Sequence, residues 1–566
     1  MFGKITLTDL SIHSWTMGEN IPMMWDKTGN YAIVLDGELY DRTDLYNYID
    51  DADLLTDAEL ILEGYIKCGK EVLNLLDGVF VFAVYSKIDN SVFIARDPFG
   101  VKFLYYWQTP QQFVFASGIP PILKNSEYQP AQNERLIYDY LVFNRTDHTE
   151  DTFFDGIRKM LHGYCAIINS DGVKWDKWYD LKERVLAIEN ADPKEFLNKL
   201  TGAIQKRMPS VEKLGVCLSG GLDSSAIVSI LVKLLNQDNL HTFSSVYGEN
   251  CNADESYYIN QFSDMISNMH YIHPSADSLM DDMHMMICNQ VEPTPSTSPY
   301  AHYCVLKEAQ KFGIEISMDG QGADEALAGY EYIPGLYLKS LLKQCKIKKL
   351  IHEIVTYYRL HGSTRHLKYM VFFMLPSSLR TKVRVKQRKY INSTFANQYT
   401  GGVISEQLYG SNDLKEMLIN HFEYKLEHLL KWGEINTKAF GIRCRMPFLD
   451  HKFVEYAIAL SDDEKIYNGY TKHILRHSLT GIMPEKVRLR VDKKGFAVPQ
   501  DEWFRTEAFQ QRIYDILQSN SFQQRGYILS NEAIKLYNCH IAGNINISKD
   551  IWKWINLELW FREYID

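Results

Sequence analysis

The stretch 218–225, LSGGLDSS, concentrates more usable chemistry than any other part of the sequence. An apolar run, 214–218, precedes it, and Ala226, Ile227, Ile230, Leu231 and Leu234 follow at helical spacing. The pattern predicts a strand ending at Leu218, a glycine turn, and a helix that opens around Leu222. The unpaired amide groups at such a helix start favour an anion. Gly220 and Gly221 let the backbone curl into a nest for phosphate oxygens, and Ser219, Ser224 and Ser225 add hydroxyl donors. Asp223 alone would repel a phosphate. Its presence makes sense with Mg²⁺ between the carboxylate and the phosphates. The Walker pattern and its lysine are absent.

A loop of this kind has to be held by a sheet. From about 193 onward strand and helix signals alternate, in KLGVCLSGG, HTFSSVYGE and IEISMDGQG. Alternation predicts a parallel sheet covered by helices, with the glycine loops at the strand ends converging on one crevice. Residues 1 to about 185 read differently. YAIVLDGELY (31–40), SVFIARD (91–97) and FVFASGI (113–119) predict strands, and Leu60, Ile61 and Tyr65 have helical spacing. The charged run LKERVLAIENAD (181–192) is expected to link the two halves.

Composition excludes several classes. A chain of 566 residues should hold two to four core-forming units. A formal charge of −10 argues against general nucleic-acid binding, and no nucleic-acid partner is expected. The nine cysteines form no C-x-x-C pair or metal-like spacing, which fits a reduced compartment. The start, MFGKITLTDL, lacks signal-peptide character, and the longest apolar run, 369–376, is too short to span a bilayer. A cytoplasmic protein without a membrane partner is expected.

Seven strings give the sequence a family likeness. LSGGLDSS, SMDGQGADEALAGY (317–330), RCRMPFLDH (443–451) and LRVDKKGFAVP (489–499) resemble the synthetase domain of asparagine synthetases. DGELYDRTDL (36–45), LLDGVFVFAVY (75–85) and RDPFGVKFLYY (96–106) resemble their glutaminase domain. β-Lactam synthetases and lasso-peptide cyclases share this build. The resemblance implies an α+β, Ntn-hydrolase-like αββα sandwich, here degenerate, over 1–185. It implies an α/β parallel-sheet ATP-pyrophosphatase domain of the adenine nucleotide α-hydrolase type, with helical insertions, over 193–566. It also implies ATP and Mg²⁺ as cofactors, attack of a carboxylate on the α-phosphorus, and release of AMP and pyrophosphate.

The same resemblance assigns residues. Asp324 matches the second acid at the pyrophosphate and would share Mg²⁺ with Asp223. Lys493 matches a lysine that stabilises the transition-state charge, and Lys472 would be a second phosphate contact. Leu218, Ser245 and Gly320 would flank adenine and ribose. Gln321 replaces a glutamate or tyrosine near the reacting amine, and glutamine cannot act as a general base. Arg443 stands where asparagine synthetases carry a glutamate, which would reverse the charge of an acceptor pocket.

The first half departs from the family pattern. Phe2 stands where the family has a cysteine nucleophile, and no Cys, Ser or Thr occurs before Thr6. The segment before DGELY is short, and the Asn-Gly oxyanion pair reads Asp36-Gly37, a carboxylate where negative charge should develop. A scaffold without glutaminase activity is expected, so the amine would come from a substrate or from ammonia. A macrolactam-forming ligase such as a lasso-peptide cyclase, with a precursor peptide and a processing protease as partners, is the first reading. An ammonia-dependent asparagine synthetase and a non-catalytic binding protein are the others. The basic segment 339–389, with Glu353 as its lone acid, reads as a solvated helical insertion or a binder of an anionic peptide. Trp552, Trp554, Trp560 and Phe561 read as core or interface packing.

Overall fold

A computed structural model describes residues 1–6, 23–49, 52–210, 213–248, 251–399, 401–492 and 498–566. The chain divides into two compact units, one made of Met1–Asn133 and Thr149–Ala187, the other of Glu134–His148 and Ile188–Asp566.

The first unit stacks two antiparallel sheets. Its strands are β1 (Phe2–Thr6), β2 (Met24–Trp25), β3 (Tyr31–Asp41), β4 (Asp77–Ser86), β5 (Ser91–Arg96), β6 (Tyr105–Gln108), β7 (Gln112–Ala116), β8 (Ile157–Lys159), β9 (Tyr164–Asn169) and β10 (Gly172–Lys177). The sheet orders are β1-β7-β6-β8 and β10-β9-β5-β4-β3-β2. Strand periodicity sends alternate side chains to opposite layers. On β4, Val81 and Ala83 pack with Phe113 and Phe115 of β7 between the sheets. Their neighbours Phe80, Phe82 and Val84 pack against Leu60, Ile61 and Leu62 of helix α1 (Asp57–Cys68) on the outer face. Thr56 caps α1 in a reciprocal box, its hydroxyl accepting from the Glu59 amide while Glu59 accepts from the Thr56 amide. The RDPFG string forms a buried turn in which the Asp97 carboxylate accepts from the amides of Phe99, Val101 and Lys102. This sandwich is the Ntn-type αββα class that the family likeness implies; among the described residues, the helical turn packed on β7 is Pro120–Leu123.

In the second unit, helix α2 (Glu134–Phe143) precedes a five-stranded sheet. The strands are β11 (Leu214–Cys217), β12 (His241–Ser245), β13 (Asn268–Ile272), β14 (Ile316–Met318) and β15 (Arg443–Arg445), in the order β13-β12-β11-β14-β15, all pairs parallel. The order reverses direction at β11, so the loops after β11 and β14 lie side by side at the switch point where such sheets bind ligands. Helix α3 (Leu222–Lys233) leaves β11 through the glycine turn. The short helix α4 (Ala323–Ala326) follows β14. Four helices then form the basic insertion: α5 (Ile333–Lys343), α6 (Ile347–His361), α7 (Arg365–Met374) and α8 (Ser377–Lys386). Helices α9 (Leu414–Tyr424), α10 (Glu427–Ala439), α11 (His473–Ser478) and α12 (Ser548–Tyr564) complete what the site uses.

Two expectations change in detail. The expected charged linker contains a helix, Leu181–Leu186, capped by the Asp180 carboxylate accepting from the Glu183 amide. The basic insertion is not simply solvated. Lys339 is buried and donates to the Ser411 carbonyl, and buried Glu353 accepts from the amides of Asn468 and Gly469. Trp552 and Trp560 of α12 are core residues whose indole N–H groups donate to the carbonyls of Thr294 and Val291. Among the described residues no helix is long and apolar enough to cross a membrane.

Candidate active site

The loop from β11 into α3 folds as an open cup. Leu218 is held to β12 from both sides: its amide donates to the Phe243 carbonyl and its carbonyl accepts from the Ser244 hydroxyl. Gly220 has a φ of 69°, a left-handed conformation that glycine adopts without a Cβ penalty. Gly221 caps α3 with no side-chain hydrogen bond, leaving the first turn of the helix unlidded. Ser219 and Ser224 hydroxyls lie 3.2 Å apart across the cup. Arg490 braces the loop from behind, its guanidinium 2.7 Å from the Gly220 carbonyl and 2.8 Å from Glu255, with Tyr258 stacked beneath it.

The loop after β14 closes on this cup. A Cβ on Gly320 would lie 2.8 Å from the Asp223 Cβ, so only glycine lets the two loops approach this closely. Asp324, on α4, enters from the same side. Lys472, at the start of α11 in a left-handed conformation, places its ammonium against both acids, 2.6 Å from Asp324 and in direct hydrogen-bond contact with Asp223. Gly329 makes room for that contact, because a Cβ there would overlap the Asp324 carboxylate and the Lys472 side chain. Burial disfavours the Lys472 ammonium, yet the two carboxylates hold its pKa above the ordinary lysine value.

These groups line one cavity of about 450 Å³. Ser219, Gly221, Leu222, Asp223, Ser224, Gly320, Gln321, Asp324 and Lys472 are on its wall. Leu218 and Ser225 are buried behind it, and Gly220 faces Arg490. Ser245 ends β12 off the wall, and Arg443 is exposed at the start of β15, also off the wall. Lys493 lies outside the described residues.

The wall also holds groups that the sequence reading passed over. Arg476 is nearly buried, and its guanidinium pKa is pushed down to about 10, chiefly by that burial. Lys425 sits over the Tyr330 ring, and Tyr330 donates to the buried Glu325. Burial raises the Glu325 pKa against the pull of Lys425. His428 is buried, with its Nδ1 against the Lys425 carbonyl; burial and then the nearby cations Arg145 and Lys425 push its pKa down to about 3. The imidazole is therefore neutral at physiological pH, with Nδ1–H donating and Nε2 left as an acceptor. Arg490 stood inside the quoted string LRVDKKGFAVP, whereas Arg476, Lys425 and His428 stood in none.

The fit to a divalent cation can be tested on this geometry. Asp223 and Asp324 already converge on the Lys472 ammonium beside a cup suited to phosphate oxygens. Two carboxylates with phosphate oxygens completing the shell is the donor set Mg²⁺ prefers. The residues fit.

In the first unit, Asp36 of β3 lies 3.3 Å from the Lys102 ammonium, both side chains largely buried. A Cβ on Gly37 would lie 2.2 Å from the Val79 carbonyl, so this glycine serves strand packing.

The asparagine synthase family model matches residues 195–562, and the glutamine amidotransferase domain model matches residues 4–179. Asparagine synthetase [glutamine-hydrolyzing] 1 of Bacillus subtilis (strain 168) is 25% identical over 572 residues, covering 94% of this chain and 85% of that protein. A putative asparagine synthetase [glutamine-hydrolyzing] of Mycobacterium tuberculosis (strain ATCC 25618 / H37Rv) is 24% identical over 616 residues, covering 100% and 89%. Among solved structures, a glutamine phosphoribosylpyrophosphate amidotransferase from B. subtilis aligns at 12% identity with a TM-score of 0.21, covering 46% of this chain and 74% of that one, a likeness too slight to bear on the fold.

Proposed function

We propose that this chain, which belongs to the asparagine synthase family and is an ATP-dependent C–N ligase, activates a carboxylate as its acyl-adenylate and passes the acyl group to an amine. The observation that carries the reading is the convergence of Asp223, Asp324 and Lys472 beside the open cup of the 218–225 loop, in one cavity. The cup and the first turn of α3 would bind the outer two phosphates of ATP through backbone amides and the Ser219 and Ser224 hydroxyls. Asp223 and Asp324 would hold Mg²⁺, which when bound supplies charge neutralisation at the departing pyrophosphate. Lys472 would be released from one or both acids as the phosphates arrive and would turn its ammonium to them. Arg490 keeps the cup in shape, and Arg476 adds positive potential where negative charge builds up.

The amine side of the reaction is assigned to the other groups of the wall. Gln321 can orient but not deprotonate. Neutral His428 can accept a hydrogen bond from an incoming amine through Nε2, though at a pKa of about 3 it is too weak to hold the proton. The amine is proposed to arrive as a substrate amine or free ammonia, because Asp36, paired with Lys102, stands in the sequence where the family likeness expects the oxyanion asparagine. A macrolactam-forming or related natural-product amide ligase is the reading we favour. The names of the relatives support a second reading, an ammonia-dependent asparagine synthetase.

The test is the product pair. With Mg²⁺-ATP and a panel of peptide and amino-acid carboxylates, AMP and pyrophosphate should form only with the cognate acid. ADP and phosphate as products would sink the mechanism. Robust ammonia-dependent asparagine formation from aspartate would decide for the second reading.

A further inference from the structure

Next to the first cavity is a second one of about 780 Å³ that no step above uses. Asn144 and Lys549 line both, so the two spaces adjoin across a shared wall. Its charge is one-sided. Arg145, Lys368, Arg384 and Lys549 face it, and none of the four has a carboxylate partner among the described residues. The acid in its wall, Asp550, is already matched by Arg388 at 3.4 Å and Lys553 at 3.0 Å. The chain as a whole carries −10, so unopposed cations gathered around one space are not a reflection of overall composition. Such a group repels itself and is relieved by an anion.

Much of the rest of the wall is aromatic. Phe372 and Phe373 of α7 pack against Tyr409 beside Tyr369, and Arg384 lies 5.4 Å from the Phe372 ring and 5.9 Å from the Tyr409 ring. Burial alone would raise the Tyr409 phenol, but Arg145 and Arg384 pull it below the ordinary value, which reports how positive the space is. Guanidinium groups stacked on rings present their planar forks to carboxylates in a fixed orientation. The volume is in the upper part of the range for ligand sites and exceeds what a free amino acid needs. Cations and rings on one wall match a ligand that carries both carboxylates and apolar side chains.

We propose that the second cavity binds a short acidic peptide segment of the substrate, holding its carboxylates on Arg145, Lys368 and Arg384. The reacting end then lies in the first cavity, a placement that rests on the ligase reading. The basic insertion thereby acts as the specificity element of the enzyme.

The experiment measures binding to the full chain, without ATP, by fluorescence anisotropy. The probe is dye-labelled acetyl-Glu-Phe-Glu-Phe-amide, compared with its uncharged Gln-Phe-Gln-Phe counterpart. The acidic peptide should bind about tenfold tighter or more, and added salt should erode the difference. Lys368→Gln and Arg384→Gln should each weaken the acidic peptide by about tenfold and leave the neutral one unchanged, while Arg384→Lys restores only part of the lost affinity, because lysine keeps the charge without the fork. Lys368 is exposed, so its variant should keep the native melting temperature even if Arg384→Gln perturbs the packing on Phe372. Equal affinities, no binding at millimolar peptide, or competition by equimolar inorganic phosphate would overturn the proposal. If pyrophosphate never forms but charge-selective binding holds, the ligase reading fails and the cavity assignment stands; the reverse result separates them the other way.

Discussion

Each unit of the molecule contains a lysine against aspartate, and the two arrangements behave as opposites. In the first unit Lys102 lies 3.3 Å from Asp36, both side chains largely buried, and the glycine beside them is pressed against a neighbouring strand. In the second, Lys472 meets two acids at once, inside a cavity with an open helix start and two arginines. A pair held in a packed sheet has little reason to exchange partners. A lysine shared by two acids on the wall of a cavity is suited to give way to another cation. The comparison teaches that the same residue types mark a closed scaffold in one place and an exchangeable centre in the other.

The contrast can be broken most directly at the triad. Asp223→Asn or Asp324→Asn should lower pyrophosphate formation by about a thousandfold, since losing a metal-bridging charge costs several kcal/mol of transition-state stabilisation. Turnover within tenfold of wild type would mean that the triad is as closed as the Asp36 pair.

Asp450 gives the next largest effect, on stability rather than chemistry. Burial would raise its pKa, but Arg207 at 3.0 Å and the Phe453 amide more than offset that and hold it below the ordinary value. With a depressed folded-state pKa, its contribution is present above the unfolded value near 3.8 and is lost as pH falls through the folded value. Asp450→Asn should destabilise the protein by about 3 kcal/mol at pH 7, and the acid limb of the stability curve should flatten, as read by urea melts. Unchanged stability would remove the structural role of the P-F-L-D turn.

Much of this was legible in the sequence. The strand–turn–helix of 214–233 and the glycine loop of 317–324 could be read because their spacing is dictated by backbone geometry that few residues satisfy. Strands β13 and β15 escaped. NMHYI carries only weak alternation, and RCR is three residues long inside a motif that reads as a loop. The Lys472 bridge escaped because Lys472 lies 249 positions from Asp223, a distance over which sequence spacing carries no geometry. Lys425 and His428 escaped because an ordinary helix surface and a cavity wall have the same composition until packing distinguishes them.

Two smaller effects sharpen the comparison. Asp36→Asn should cost about 2 kcal/mol in a denaturant melt, as expected for a largely buried charged pair, and leave pyrophosphate formation unchanged. A gain of glutaminase activity in that variant would show that only one charge had silenced the first unit. Arg443→Glu should change turnover less than twofold, since Arg443 is exposed and off the cavity wall. A large change in acid selectivity would return it to the acceptor site.

The central claim is that carboxylate activation is live in the second unit while glutamine hydrolysis is silent in the first. The direct measurement is a single reaction with Mg²⁺-ATP, a productive acid and glutamine, in which pyrophosphate and glutamate are quantified together, with and without added ammonia or substrate amine. The account predicts pyrophosphate rising with the added amine and no glutamate above a boiled-enzyme control. Glutamate released in step with pyrophosphate, with glutamine as the sole nitrogen source, would contradict it.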